Sequence, residues 1–213
     1  MEPHRLADLS RLWAVVPIRG LHTSKTRLGE GLDAEERVEL VTAMLRRTLR
    51  ATRDAAAIEG TVVVTMDPAA AGLAKEYGAI GLVERAPGLN PAIEAGRSLA
   101  VARGATAILV LPADIPGVTA AARDDLADLA GEPAAGGVVV IVPDQHGAGT
   151  NALLVSPPNL IAPRFGEGSR AAHVAAAQAG GARLIEADGP LSLDIDTPAD
   201  LLAAETAIGA LDG

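Results

Sequence analysis

The residues best suited to chemistry in this 213-residue chain are three aspartates in two short segments, LPADIP and LDIDTP. Asp114 follows a strongly apolar run, and Pro112 and Pro116 restrict the backbone on either side of it. A carboxylate just past the end of a strand faces the edge where α/β sheets collect ligands. Thr119, where the next helix is predicted to start, lies five residues later. That is too far for Asp114 to cap the helix, so binding is the favoured reading. Asp194 and Asp196 are spaced i and i+2, so in an extended segment their side chains point the same way. Such a pair invites a divalent cation, and an aspartate trio suits oxygen-seeking Mg²⁺ better than zinc, which favours His or Cys. Asp196 has an equal claim as N-cap of a last helix, with Pro198 near its first position.

Three further segments have the composition of anion-binding loops. Arg19-Gly20-Leu21-His22-Thr23-Ser24-Lys25-Thr26-Arg27 follows the first strand, where nucleotide-binding sheets often cradle phosphates. Neither GxGxxG nor GxxxxGK[ST] is present, which removes the main support for a dehydrogenase or a P-loop ATPase. A solvated basic loop is an equal alternative there. Lys25 stands out because, among 18 basic residues, only Lys25 and Lys75 are lysines. PDQHGAGTNALL at 143–154 and RFGEGSRAAH at 164–173 pair glycines with hydroxyls, and FGEGS directly precedes a helix. Its N–H groups with Ser169 offer an anion site, against which stands ordinary capping chemistry. His146, alone in a glycine-rich loop, reads as an exposed histidine, and His4, His22 and His173 show no ligand spacing.

These segments sit between regularly alternating elements. Strands are expected at 12–18, 61–66, 79–84, 105–112, 136–144, 151–156 and 183–187. Helices are expected after Asp33, whose pairing with Glu36 reads as a capping box, and at about 68–77, 91–103, 119–130 and 169–178, with a last one from TPAD. The pattern predicts a three-layer α/β/α fold with a mixed, mainly parallel sheet and the strand-to-helix loops along one edge. Nothing of linker composition divides the chain, so residues 1–213 are expected to form one domain, with 1–11 a flexible extension.

Composition narrows the classes. A net charge of −9 argues against a nucleic-acid surface, because phosphate binding along a duplex needs a basic face. There are no cysteines, and no apolar run approaches membrane-spanning length, so a cytoplasmic protein without membrane contact is expected. The oligomeric state is left open, a homodimer included.

Taken in order, PIRGLHTSKTRLG, GLNPAIEAG, LPADIP, PDQHGAGTNALL, FGEGS and LDIDTPADL resemble the guanylyltransferases of coenzyme F-420 biosynthesis over about Trp13 to Leu202. That family acts on 2-phospholactate or on phosphoenolpyruvate. The resemblance implies a nucleotide-diphospho-sugar-transferase-like fold and transfer of GMP from GTP to a small phosphorylated carboxylic acid, with pyrophosphate released and Mg²⁺ as cofactor. It implies that Asp114, Asp194 and Asp196 hold the metal and that Lys25 and Arg27 contact GTP phosphates. Thr150, Gly166 and Ser169 would bind the acid, and Gly88 and Asn90 would belong to the nucleoside-binding part. Arg19 departs from the lysine common in the family, replacing a point charge with a planar fork. A molybdopterin guanylyltransferase and a non-catalytic nucleotide-binding protein are the rival readings.

Overall fold

A computed structural model describes residues 8–22, 32–84, 88–131, 136–194 and 200. The elements run β1 (Leu12–Pro17), α1 (Ala34–Asp54), β2 (Ile58–Thr65), α2 (Pro68–Glu76), β3 (Ile80–Val83), α3 (Leu89–Ala102), β4 (Ala107–Val110), α4 (Ala120–Ala130), β5 (Val138–Pro143), β6 (Thr150–Ser156), α5 (Ser169–Ala179) and β7 (Arg183–Glu186). A 3-10 turn at Pro190–Ser192 follows. The strands form one sheet in the order β3-β2-β1-β4-β6-β5-β7. Only β6 runs against its neighbours β4 and β5. All other pairings are parallel.

Helices cover both faces, which is why β1, β4, β5 and β6 are buried at every position and read as unbroken apolar runs. On one face Val15, Ile108, Ile141 and Leu153 pack with Ile93 of α3 and Ala177 of α5. On the other, Leu109, Val140 and Leu154 pack with Leu126 of α4, while Val16 and Val63 meet Leu45 of α1 and Leu73 of α2. With so few aromatics, small aliphatic side chains fill both layers. No helix among the described residues is long and apolar enough to cross a membrane.

Local signals decide the element ends. The capping box at α1 forms, Asp33 accepting from Glu35 and Glu36 N–H while the Glu36 carboxylate accepts from Asp33 N–H. β4 is shorter than its apolar run. Leu111 N–H still donates to Val15, but Pro112 has no N–H with which to continue the ladder. Gly189, at φ +150, and Pro190 turn the LSLDID segment into a 3-10 turn, and the chain is extended only at Leu193. Of the N-terminal extension, residues 8–11 are held to the sheet: Asp8 N–H donates to Ser156 Oγ, and Arg11 makes a two-pronged pair with Glu59 at 2.8 Å.

Candidate active site

Six strands end, and β6 begins, at the same sheet edge. The described ends of the connections after β1, β3, β4 and β7 therefore share that edge with the start of β6, and the FGEGS turn, which leaves β6 from the opposite edge, returns to it through Arg164, His173 and Thr150.

Asp114 lies half-buried on the loop between β4 and α4. Thr119 caps α4 by accepting from Ala122 N–H at 3.1 Å, so the helix is capped without Asp114. The loop is held from both sides: Ala113 joins the cluster of Val16 and Leu21, and Ile115 and Val118 pack with Leu191. Leu193 in turn packs against the cluster containing Ala113. Gly117 lies against the carbonyl of Pro190 so closely that a Cβ would overlap it. The Asp114 and Asp194 segments are thus neighbours.

Asn151 fixes the second of them. Its buried amide donates to the carbonyls of Leu191 at 3.1 Å and Ser192 at 2.9 Å, and lies 3.4 Å from Asp194 Oδ1. Two adjoining carboxylate segments supply hard oxygen donors, which fit Mg²⁺ or Mn²⁺ and not a thiophilic ion. Among the described residues no group of three or more His, Cys, Asp or Glu is arranged to hold a metal. Asp196 lies outside them.

On the other side of β6 the donors gather. Val142 pairs with Ala152 and Pro143 with Thr150, leaving Asn151 as an extra residue, a β-bulge beside a proline that cannot donate to the ladder. Without the bulge, strand alternation would send Thr150 to the α4 face with Ala152 and Leu154. With it, Asn151 points to the 3-10 turn and Thr150 points to α5, where its Oγ1 lies 3.0 Å from His173 Nδ1.

His173 is fully buried, its ring edge-to-face on Phe165 with centroids 5.0 Å apart. Burial, with a smaller contribution from the Arg164 charge, lowers its pKa to about 4 and keeps it neutral. Arg164 N–H donates to His173 Nε2 at 2.9 Å. Phe165 is then clamped by Asn90, whose Oδ1 accepts from Phe165 N–H at 2.7 Å and whose Nδ2 donates to Phe165 O at 3.0 Å. Both ends of the Asn90 amide are therefore committed to the main chain of the FGEGS turn.

That turn leads into α5. Gly166 is exposed at φ +128, with nothing within 4 Å of where a Cβ would sit, so backbone conformation rather than crowding calls for glycine. Gly168 is the N-cap at φ +65 and supplies no side-chain cap. Ser169 is buried at the first helical position. Arg170 ties the turn to the hairpin before Thr150, its N–H donating to Ala148 O and its guanidinium to Gly147 O.

Arg19 is exposed at the same edge, its carbonyl accepting from Met66 N–H and from Thr65 Oγ1. Gly88 caps α3 at φ +118. Lys25 and Arg27 lie outside the described residues. Asp67 caps α2 and also accepts from Leu21 N–H, fixing the start of the basic loop. Burial alone would raise its carboxyl, but the N–H groups of Leu21, Ala69 and Ala70, helped by His22, outweigh this and hold it below its usual range.

Sequence reasoning missed Asn151 and His173. Asn151 stands beside Thr150 in the motif, and Pro143 near a strand end was the available signal of a bulge. His173 carries no such signal, because its contacts span nine and 23 residues.

The family described as "Guanylyl transferase CofC like" matches residues 12–206. A phosphoenolpyruvate guanylyltransferase of Rubrobacter xylanophilus is 41% identical over 199 residues, covering 93% of this chain and 95% of its own. Among solved structures, a Desulfovibrio desulfuricans G20 protein assigned as a nucleotide-diphospho-sugar transferase superposes with a TM-score of 0.68 at 15% identity, over 90% of this chain and 85% of its own. A Mycobacterium tuberculosis protein in complex with manganese gives 0.54 at 19% identity, over 91% and 97%. The sheet order, the acidic edge and this similarity together make the chain a nucleotidyltransferase of the CofC-like guanylyl transferase family.

Proposed function

We propose that this chain transfers GMP from GTP to the phosphate of phosphoenolpyruvate, releasing pyrophosphate, as a step of coenzyme F-420 biosynthesis. The observation that carries this reading is the division of one sheet edge into two kinds of surface. Carboxylates on adjoining segments occupy one side, and a hydroxyl, a glycine turn and a helix N-terminus the other.

A phosphate oxygen of the acceptor attacks the α-phosphorus of GTP, the new P–O bond forms, and the bond to pyrophosphate breaks. That oxygen is already anionic near neutral pH, so no general base is needed, and His173, buried and neutral, serves as none. The task is alignment and charge neutralisation. Asp114, Asp194 and Asp196 would hold a divalent cation, Mg²⁺ in the cell, which supplies Lewis-acid neutralisation of phosphate charge. Lys25 and Arg27 contact the triphosphate, and Arg19 contributes a guanidinium at the same edge. Gly88 and Asn90 bound the nucleoside side, Asn90 through its clamp on Phe165. Thr150, Gly166 and Ser169 take the anionic acceptor, with the positive end of α5 directed at it.

The test is pyrophosphate release from GTP with Mg²⁺ and, in separate assays, phosphoenolpyruvate, 2-phospholactate, 3-phosphoglycerate and a sugar phosphate. Phosphoenolpyruvate should give the highest rate, and omission of metal should abolish it. Preference for 2-phospholactate would change the acceptor and keep the reaction. Equal rates with the sugar phosphate would refute the reading, and nucleotide binding without pyrophosphate would make this a binding protein.

A further inference from the structure

The hydrogen bonds around His173 fix more than its place in the core. A backbone N–H can only donate, so the bond from Arg164 N–H makes His173 Nε2 an acceptor. In a neutral imidazole the remaining proton is then on Nδ1. Nδ1 lies 3.0 Å from Thr150 Oγ1 and so donates to it. This occupies one lone pair of the hydroxyl and directs the hydroxyl's own proton elsewhere. Among the described residues, no hydrogen bond takes that proton. Thr150 is the first residue of β6 and stands at the ligand edge.

We propose that His173 is a positioning residue that sets Thr150 as an obligate hydrogen-bond donor to an anionic oxygen, carboxylate or phosphate, of the bound acceptor. Arg164 sets the tautomer, His173 passes that polarity inward, and Thr150 presents it to the ligand. A flipped ring would lose both hydrogen bonds, and Phe165, itself clamped by Asn90, packs edge-to-face on the ring in the arrangement that keeps them. The same chain couples Thr150 to the turn that carries Gly166 and Ser169, so the hydroxyl and the turn are aligned by one side chain. The proposal rests on the acceptor site argued above.

Two variants separate the arms of the imidazole. In H173Q the glutamine side-chain oxygen can reach the position of Nε2 and still accept from Arg164, but the side chain offers no donor to Thr150. In H173N the asparagine amide stands where Nδ1 does and can still donate. H173Q should raise the acceptor KM about tenfold, the scale of one hydrogen bond, and the GTP KM by less, because the ring it removes also packs on Phe165. H173N should stay near wild type in acceptor KM. T150V should raise it as H173Q does, and the double variant should be no worse than T150V alone. Equal rises in both KM values, or additive effects in the double variant, would overturn the proposal.

Nitrogen NMR of the unliganded wild type reads the tautomer independently of activity and of whether the variants fold. A protonated-type Nδ1 and an unprotonated-type Nε2 are expected, and the reverse pattern overturns the idea. If the wild type releases no pyrophosphate with any phosphorylated acid, the functional reading fails, whatever the tautomer. If it turns over and H173Q is neutral, the positioning role fails alone.

Discussion

On the β4 side of the ligand edge, the chemistry-bearing residue hangs on a loop that follows a strand, whereas on the β6 side the residues belong to a strand's first positions and to the helix behind them. Asp114 is half-buried on the chain connecting β4 to α4, with α4 capped independently by Thr119. Thr150 and Asn151 are buried, and their side chains are tied to elements distant in sequence. On the loop side, α4 keeps its Thr119 cap and the apolar packing of Ile115 and Val118 when the Asp114 carboxylate is changed. On the strand side, function and stability share the same hydrogen bonds, because an orphaned buried partner carries its full desolvation cost.

Substitutions on the two sides test this contrast. D114N should lower turnover by on the order of 10²–10³-fold, the scale of removing one preorganised electrostatic group. Its far-UV circular dichroism should match the wild type, and near-normal turnover in a folded D114N protein would defeat the metal assignment. N151A should raise the Mg²⁺ concentration for half-maximal activity by about 10–100-fold, as expected for a residue that orients a ligand from behind. It should also lower the urea midpoint, and an unchanged metal requirement would confine Asn151 to a structural part.

Acidification should reach the strand side through His173. Unfolded His173 takes a proton near 6.5 and the folded residue near 4, so between these values the unfolded chain binds more protons and stability falls as pH falls. The loss at pH 5 should be on the order of 1–2 kcal/mol, flattening below about pH 4. Urea titrations of wild type and H173Q at pH 7 and 5 should differ by that slope, and parallel curves would remove it. N90A should cost about 1 kcal/mol in the same titration, with N90D between N90A and wild type because it keeps the acceptor for Phe165 N–H.

The same contrast explains what could be read from sequence. The α/β/α layering and the capping box at Asp33 were legible because periodicity and short-range polar pairs are local properties. The loop position of Asp114 was legible, and so was its distance from the cap of α4, because both follow from residues close in sequence. The direction of β6 was not, since an apolar strand carries no mark of polarity. The bulge at Asn151 was hidden as well, and with it the opposite aim of two adjacent side chains. Of the final pair, Asp194 follows a 3-10 turn set by Gly189 and Pro190 that no periodicity announced, and Asp196 lies outside the described residues.

Gly117 against Pro190 has a consequence for how the acidic side can be altered. Two peptide backbones touch there with no side chain between them, so the gauge separating the Asp114 and Asp194 segments is the thickness of the main chain itself. Exchanging aspartate for glutamate changes the reach of a carboxylate but leaves that gauge untouched. One added methyl at residue 117 would widen it and so move the acidic segments apart without changing any acidic residue.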